Sequence, residues 1–260
     1  MTRFDHDAWL RSFRPRQDHE TQVVCLPHAG GSASFYLPFA EELSPVADVL
    51  AVQYPGRQDR GHEPCVDDLV TLADLIAEAL APLADRRIVL FGHSMGAMLA
   101  FELARRVPTA HLFVSGRRAP SCWRDERVHQ RDDDGLIAAM QELNGTNSAL
   151  LHNKKILRMV LPAVRADYRA AETHRYADGP GVTAPTSVLL GDDDPMVTLD
   201  EARAWQLHTT GTTELHVLPG GHFYLVDHWP HIARLVEDEV PETATPSTTK
   251  PAGLSGEWPN

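Results

Sequence analysis

Cysteine is scarce: three residues in 260, at positions 25, 65 and 122, with no C-x-x-C spacing. An odd number, widely spaced, argues against a disulfide framework and against a zinc site. Cys25 lies inside an apolar run and reads as a small core residue. Long apolar runs are also missing, and none approaches the roughly 20 residues that a bilayer span needs. The opening Met-Thr-Arg-Phe-Asp-His-Asp has no apolar h-region, which predicts a cytoplasmic protein. Basic residues are outnumbered, 24 Lys and Arg against 36 Asp and Glu, for a formal net charge of −12. That balance disfavours nucleic acid and anionic membranes as partners. An acidic carrier protein stays compatible through a local basic patch. No internal repeat is visible. The 43% hydrophobic content is enough for one large α/β core.

The most informative stretch is Arg87-Ile-Val-Leu-Phe91, Gly92-His93-Ser94-Met95-Gly96, and then an apolar helix-like run to Ala104. A strand that meets G-x-S-x-G and continues into a helix is the context of a nucleophile elbow. The elbow lifts the serine hydroxyl clear of the backbone. The helix N-terminus directs unpaired N–H groups toward the place where an oxyanion forms. Ser94 is therefore the candidate nucleophile. A second glycine-containing loop, Pro27-His28-Ala29-Gly30-Gly31-Ser32, follows a strand expected over 21–26. In a serine hydrolase such a loop supplies the second oxyanion N–H. No G-K-[ST] follows it, so a phosphate-binding loop is disfavoured.

The pattern around these loops alternates strand and helix. Helices are expected over 35–43 and 66–83, and strands over 48–54, 87–91 and 111–115. This implies a mostly parallel sheet covered on both faces. Residues 1–20 read as a loosely held arm with Trp9, Leu10 and Phe13 available for packing. From about 117 to 185 the alternation breaks into a charged segment with helical patterns at 136–143 and 156–168. An inserted helical lid accounts for a connection of this length. Its Asp132-Asp133-Asp134 run reads as a solvated helix start, with no ligand spacing for a metal. Strands at 186–190 and 214–218, with helices at 199–208 and 229–239, complete the fold. Residues 241–260 have the composition of a disordered tail.

Two further loops complete the chemistry. Gly191-Asp192-Asp193-Asp194 follows a late strand, where an orienting carboxylate belongs, and all three acids compete for that role. Pro219-Gly220-Gly221-His222 follows the last strand, and His222 is the candidate general base. His28 and His93 read as packing residues beside the loops. His228 and His231 lack a third ligand for a metal site. The order Ser, Asp, His along the chain is that of the α/β-hydrolase fold.

Six pieces together resemble the stand-alone type II thioesterases of polyketide and nonribosomal peptide synthesis. They are Leu26-Pro-His-Ala-Gly-Gly-Ser-Ala33, Tyr54-Pro-Gly-Arg57, Gly92-His-Ser-Met-Gly-Ala97, Ser115-Gly-Arg-Arg-Ala-Pro120, Gly191-Asp-Asp-Asp-Pro195 and Pro219-Gly-Gly-His-Phe223. The resemblance covers about residues 20–240. It implies Ser94 as nucleophile, His222 as base, Asp194 as orienting acid, and Ala29 and Met95 as backbone oxyanion donors. It further implies hydrolysis of aberrant or stalled acyl groups from the phosphopantetheine arm of an acyl or peptidyl carrier protein. No metal or dissociable cofactor is expected. Two other readings use the same residues: a carboxylesterase or lipase acting on small esters, and a non-catalytic module that recruits a partner. Arg57, Arg117 and Arg118 are open between receiving a phosphate or carrier surface and simple solvation.

Overall fold

A computed structural model describes residues 5–14, 19–143, 154–177, 179 and 181–241. Seven strands are described: β1 (Leu10–Arg11), β2 (Thr21–Leu26), β3 (Asp48–Val52), β4 (Arg87–His93), β5 (His111–Ser115), β6 (Thr186–Gly191) and β7 (Thr213–Leu218). They form one sheet in the order β1-β3-β2-β4-β5-β6-β7. All neighbours run parallel except β1, which pairs antiparallel with β3 through Leu10 opposite Val52. Around it lie eight described α-helices: α1 (His6–Trp9), α2 (Leu37–Leu43), α3 (Leu69–Leu80), α4 (Met95–Ala104), α5 (Asp133–Glu142), α6 (Lys154–Thr173), α7 (Leu199–Arg203) and α8 (Trp229–Glu237).

The inner strands carry apolar side chains at successive positions because both faces are covered. Period-2 alternation then sorts them. Val24, Leu26, Ile88 and Leu90 join the core under α3 and α4, whereas Val23, Cys25, Val89 and Phe91 face α2 and α8. The second face is aromatic, with Tyr36 and Phe39 each in ring contact with both Phe91 and Trp229. Leu136 of α5 and Leu161 and Val164 of α6 form a third, smaller cluster. The segment between β5 and β6 therefore has an apolar contact of its own.

Element ends follow capping chemistry. A helix was expected from residue 66, but Asp68 accepts the Thr71 N–H and α3 begins at Leu69. The acidic run starts α5 as expected: Asp132 accepts the Gly135 N–H, and Asp133 and Asp134 occupy the positive first turn. The single helix expected over 199–208 is α7, with a Thr198–Glu201 capping box, followed by a 3-10 turn at Ala204–Leu207. α6 extends farther than its apolar pattern indicated, to 20 residues.

Within the expected arm, residues 5–14 join the body. Trp9 is buried beneath the Arg60 guanidinium, and its carbonyl accepts the Gln53 N–H. The tail expected at 241–260 lies outside the described residues except for Pro241. Among the described residues, no helix is long and apolar enough to cross a membrane.

Candidate active site

β2 and β4 are neighbours at the centre of the sheet, and the chain leaves them in opposite directions, toward β3 and toward β5. Ligands of open α/β sheets bind at such a reversal, beyond the carboxyl ends of the strands. The loops after β2, β4, β6 and β7 all emerge there, and they carry Ala29, Ser94, Asp194 and His222.

Ser94 sits in the strained conformation that an elbow imposes, with φ 56° and ψ −116°. For a non-glycine residue this costs on the order of 1–3 kcal/mol, which the surroundings must offset. The Ser94 N–H donates to the Ser115 carbonyl at 2.8 Å. Two glycines make the turn possible. A Cβ on Gly92 would stand 2.1 Å from the Gly96 carbonyl oxygen, and one on Gly96 would stand 2.0 Å from that of Leu26.

The Ser94 hydroxyl oxygen lies 3.0 Å from His222 Nε2. On the other side of the ring, Nδ1 lies 3.0 and 3.1 Å from the two Asp194 carboxylate oxygens. A carboxylate only accepts, so Nδ1 carries the proton and Nε2 presents its lone pair to the serine. Asp194 Oδ1 also accepts the Met196 N–H at 2.8 Å. The His222 and Asp194 side chains are buried. Of the three acids of this loop, Asp194 is the one that meets the His222 ring. Asp192 accepts the Gly220 N–H at 2.8 Å and so braces the histidine's turn, while Asp193 is exposed.

The sequence reading of His28 and His93 as packing residues agrees with their surroundings. His93 is buried, and its Nδ1 lies 2.9 Å from the Ser115 hydroxyl. His28 packs edge-on against Phe35 and Phe223. Burial, then His222 and Arg57, lower the His28 pKa to about 3. Burial, His222 and His28 hold His93 well below the usual imidazole value. Both rings are neutral near pH 7, and neither is placed to exchange a proton with Ser94.

Ser94, Met95, Ala29 and His222 border a cavity of about 230 Å³, roofed by Ala139 and Leu143 at the end of α5 and by Tyr168 of α6. Met95 is the first residue of α4, where backbone N–H groups have no partner within the helix. Arg117 also borders the cavity; burial, then the neighbouring Arg118, draw its pKa down to about 10.

The open question about the three arginines has a structural answer for two of them. Arg57 and Arg118 are buried and paired with carboxylates, Arg57 with Asp167 and Arg118 with Glu126. Solvation is therefore the wrong description for both. Asp167 escaped the sequence reading. Its only signal was an acid three residues after Val164, on the face of α6 that carries Leu161 and Val164.

The sheet, the elbow and the hydrogen-bonded Ser-His-Asp relay define a serine hydrolase of the α/β-hydrolase class. Comparison with known proteins narrows it. The family model described as a thioesterase domain matches residues 21–240, and the chain belongs to that family. It is 42% identical to thioesterase PikA5 of Streptomyces venezuelae, over 98% of this chain and 96% of that protein. It is 49% identical to a probable cadicidin biosynthesis thioesterase of Streptomyces griseus, over 94% of this chain and 68% of the relative. Among solved structures it is similar to the type II thioesterase BorB from the borrelidin biosynthetic cluster. That match has a TM-score of 0.85 and 48% identity, and covers 90% of this chain and 98% of BorB. It also resembles the RedJ thioesterase of the prodiginine pathway in Streptomyces coelicolor, with a TM-score of 0.80 and 33% identity, over 87% of this chain and 90% of RedJ.

Proposed function

We propose that this thioesterase removes aberrant or stalled acyl groups from the phosphopantetheine arm of acyl or peptidyl carrier proteins in polyketide or nonribosomal peptide synthesis. Its expected place of work is the cytoplasm. The observation that carries the reading is the buried Asp194–His222–Ser94 relay opening on a roofed cavity, in a chain of this family. High identity to biosynthetic thioesterases supports the choice of a carrier-bound thioester.

Catalysis proceeds in two transfers. His222 Nε2 takes the Ser94 proton as the oxygen attacks the thioester carbonyl. The Ala29 and Met95 N–H groups receive the developing oxyanion. One such donor is worth about 3–4 kcal/mol. Asp194 holds the His222 tautomer and stabilises the imidazolium. Collapse expels the thiol, which takes the proton from His222. Water then attacks the acyl-serine with His222 again as base, releasing the acid and restoring Ser94. The segment at 117–185 acts as a lid over this chemistry.

The test is hydrolysis of one acyl group from three donors: a carrier protein, a small pantetheine-like thiol and a simple alcohol ester. Wild type and Ser94→Ala are compared. The reading expects a strong preference for the carrier-bound thioester and no turnover in the variant. Equal or better turnover of the alcohol ester would overturn it in favour of a general esterase.

A further inference from the structure

Asp167 lies on α6, 137 residues from the loop after β2, yet the two are bonded. Its side chain is fully buried. Oδ2 accepts the Gly30 N–H at 2.7 Å and Arg57 Nη1 at 2.6 Å, and Oδ1 accepts Arg57 Nη2 at 2.8 Å. Arg57 in turn donates to the Gly31 carbonyl at 3.1 Å and lies over the Tyr54 ring. The Tyr54 hydroxyl donates to the Pro27 carbonyl at 3.0 Å. The ion pair thus anchors the two residues after Ala29, and Tyr54, beneath the Arg57 guanidinium, anchors the loop before it.

A second contact is independent of charge. Gly30 has φ +75°, and a Cβ there would stand 2.8 Å from Val164 Cγ2. Val164 and Asp167 are one turn apart on the same face of α6. The helix therefore rests directly against the Gly30 backbone.

The geometry has a consequence for the donor. The Ala29 N–H shares a rigid peptide plane with the His28 carbonyl. That carbonyl accepts the Gly31 N–H at 2.9 Å, so the direction of the Ala29 N–H follows from where Gly31 is held. Gly31 is held by Arg57, and Gly30 by Asp167. Among the described residues, Arg57 and Asp167 make no hydrogen bond or ion pair with Ser94, His222 or Asp194.

We propose that Asp167 is a positioning residue: with Arg57 it fixes the peptide plane that carries the Ala29 N–H, and so ties the oxyanion donor to the placement of α6 over the cavity. The proposal rests on the reading of Ala29 as a donor. It concerns how the hole is held, and it assigns neither residue a contact with the substrate.

Two variants test it. Asp167→Asn keeps the shape but leaves the Arg57 charge uncompensated. The double variant Arg57→Met, Asp167→Leu removes both charges, a replacement that buried ion pairs often tolerate without loss of stability. Each is assayed on a short acyl thioester of N-acetylcysteamine. Each is also titrated with a trifluoromethyl ketone analogue, whose adduct with Ser94 places an oxyanion in the hole, and with a thioether lacking the carbonyl. Melting temperature monitors the fold.

The expected result for the double variant is an unchanged melting temperature, kcat reduced at least tenfold and KM within twofold. The ketone should weaken in step with kcat/KM while the thioether binds as before. A purely structural pair would lower the melting temperature or the active fraction and leave ketone affinity intact in the folded enzyme, which overturns the proposal. A folded double variant with wild-type kcat and ketone affinity overturns it as well. If wild type itself binds the ketone no better than the thioether, the reading of Ala29 as an oxyanion donor fails and takes the proposal with it.

Discussion

The Asp194 carboxylate meets His222 Nδ1 with both oxygens, at 3.0 and 3.1 Å, and is held in that pose by the Met196 N–H. Two residues earlier in the chain, Asp192 turns the other way and braces Gly220. Two acids of one loop, with Asp193 between them, thus have different partners, one the base and the other the base's turn.

That division gives opposite expectations for one chemical change. Asp194→Asn replaces an acceptor with a group that can donate to Nδ1 and so favours the wrong tautomer. We expect kcat to fall by about 10³- to 10⁴-fold, the scale known for this change in serine hydrolases, with the fold retained. Asp192→Asn keeps an oxygen for the Gly220 N–H and leaves His222 untouched, so kcat should stay within about threefold, the scale of losing little from a surface hydrogen bond. Steady-state hydrolysis with circular dichroism decides it. The reverse order of effects would move the carboxylate assignment to Asp192.

Gly96→Ala probes the elbow. Its Cβ would fall 2.0 Å from the Leu26 carbonyl oxygen, a backbone atom that cannot swing aside. Relief requires β2 and α4 to separate, so we expect a loss of stability at or above the roughly 1–3 kcal/mol typical of overpacking. Urea unfolding measures that loss. Activity should drop further than stability, because Ser94 and the Met95 N–H move with the helix start. A variant with native stability and turnover would mean that the elbow tolerates a wider turn than this geometry allows.

How much of this was legible in the sequence depended on the range of the forces involved. Strands 21–26 and 111–115 were readable to the residue because buried parallel strands are continuous apolar runs with polar ends. The elbow was readable because its glycines are required locally, by clashes within a few residues. Residue type alone left Asp192, Asp193 and Asp194 equivalent, and only the family resemblance pointed to Asp194; in the structure Asp194 is the acid that meets His222, 28 residues on. The Arg57–Asp167 pair was invisible because its members are 110 residues apart and each, alone, is an ordinary charged residue. The attachment of residues 5–14 was legible only in its apolar residues Trp9, Leu10 and Phe13, which do pack against the body; the pairing of β1 with β3 was not. A two-residue strand has no periodicity to detect, and Trp9 finds its partners at Gln53 and Arg60.

Glu102 makes a final prediction about pH. It lies on α4, buried, among Arg105, Arg106 and His174. Burial pushes its pKa up from 4.5, but the nearby His174 ring, the hydrogen bond from Arg106 and the charge of Arg105 outweigh this and hold it at about 2. A folded-state pKa below the unfolded value means that the unfolded chain binds the proton first as pH falls. The stabilisation is thus fully present above about pH 4.5 and is lost on acidification through about pH 2. Its size is on the order of 2–3 kcal/mol at most. Glu102→Gln removes this dependence. Its urea stability should be lower than wild type at pH 7, and the gap should narrow steadily as pH falls from 4.5 toward 2. A gap that stays constant across that range would mean that the cluster stabilises the helix by shape and not by the charge of Glu102. The distinction bears on α4 directly, since the same helix carries Ser94 and Met95 at its other end and connects their placement to the ion cluster near Ala104.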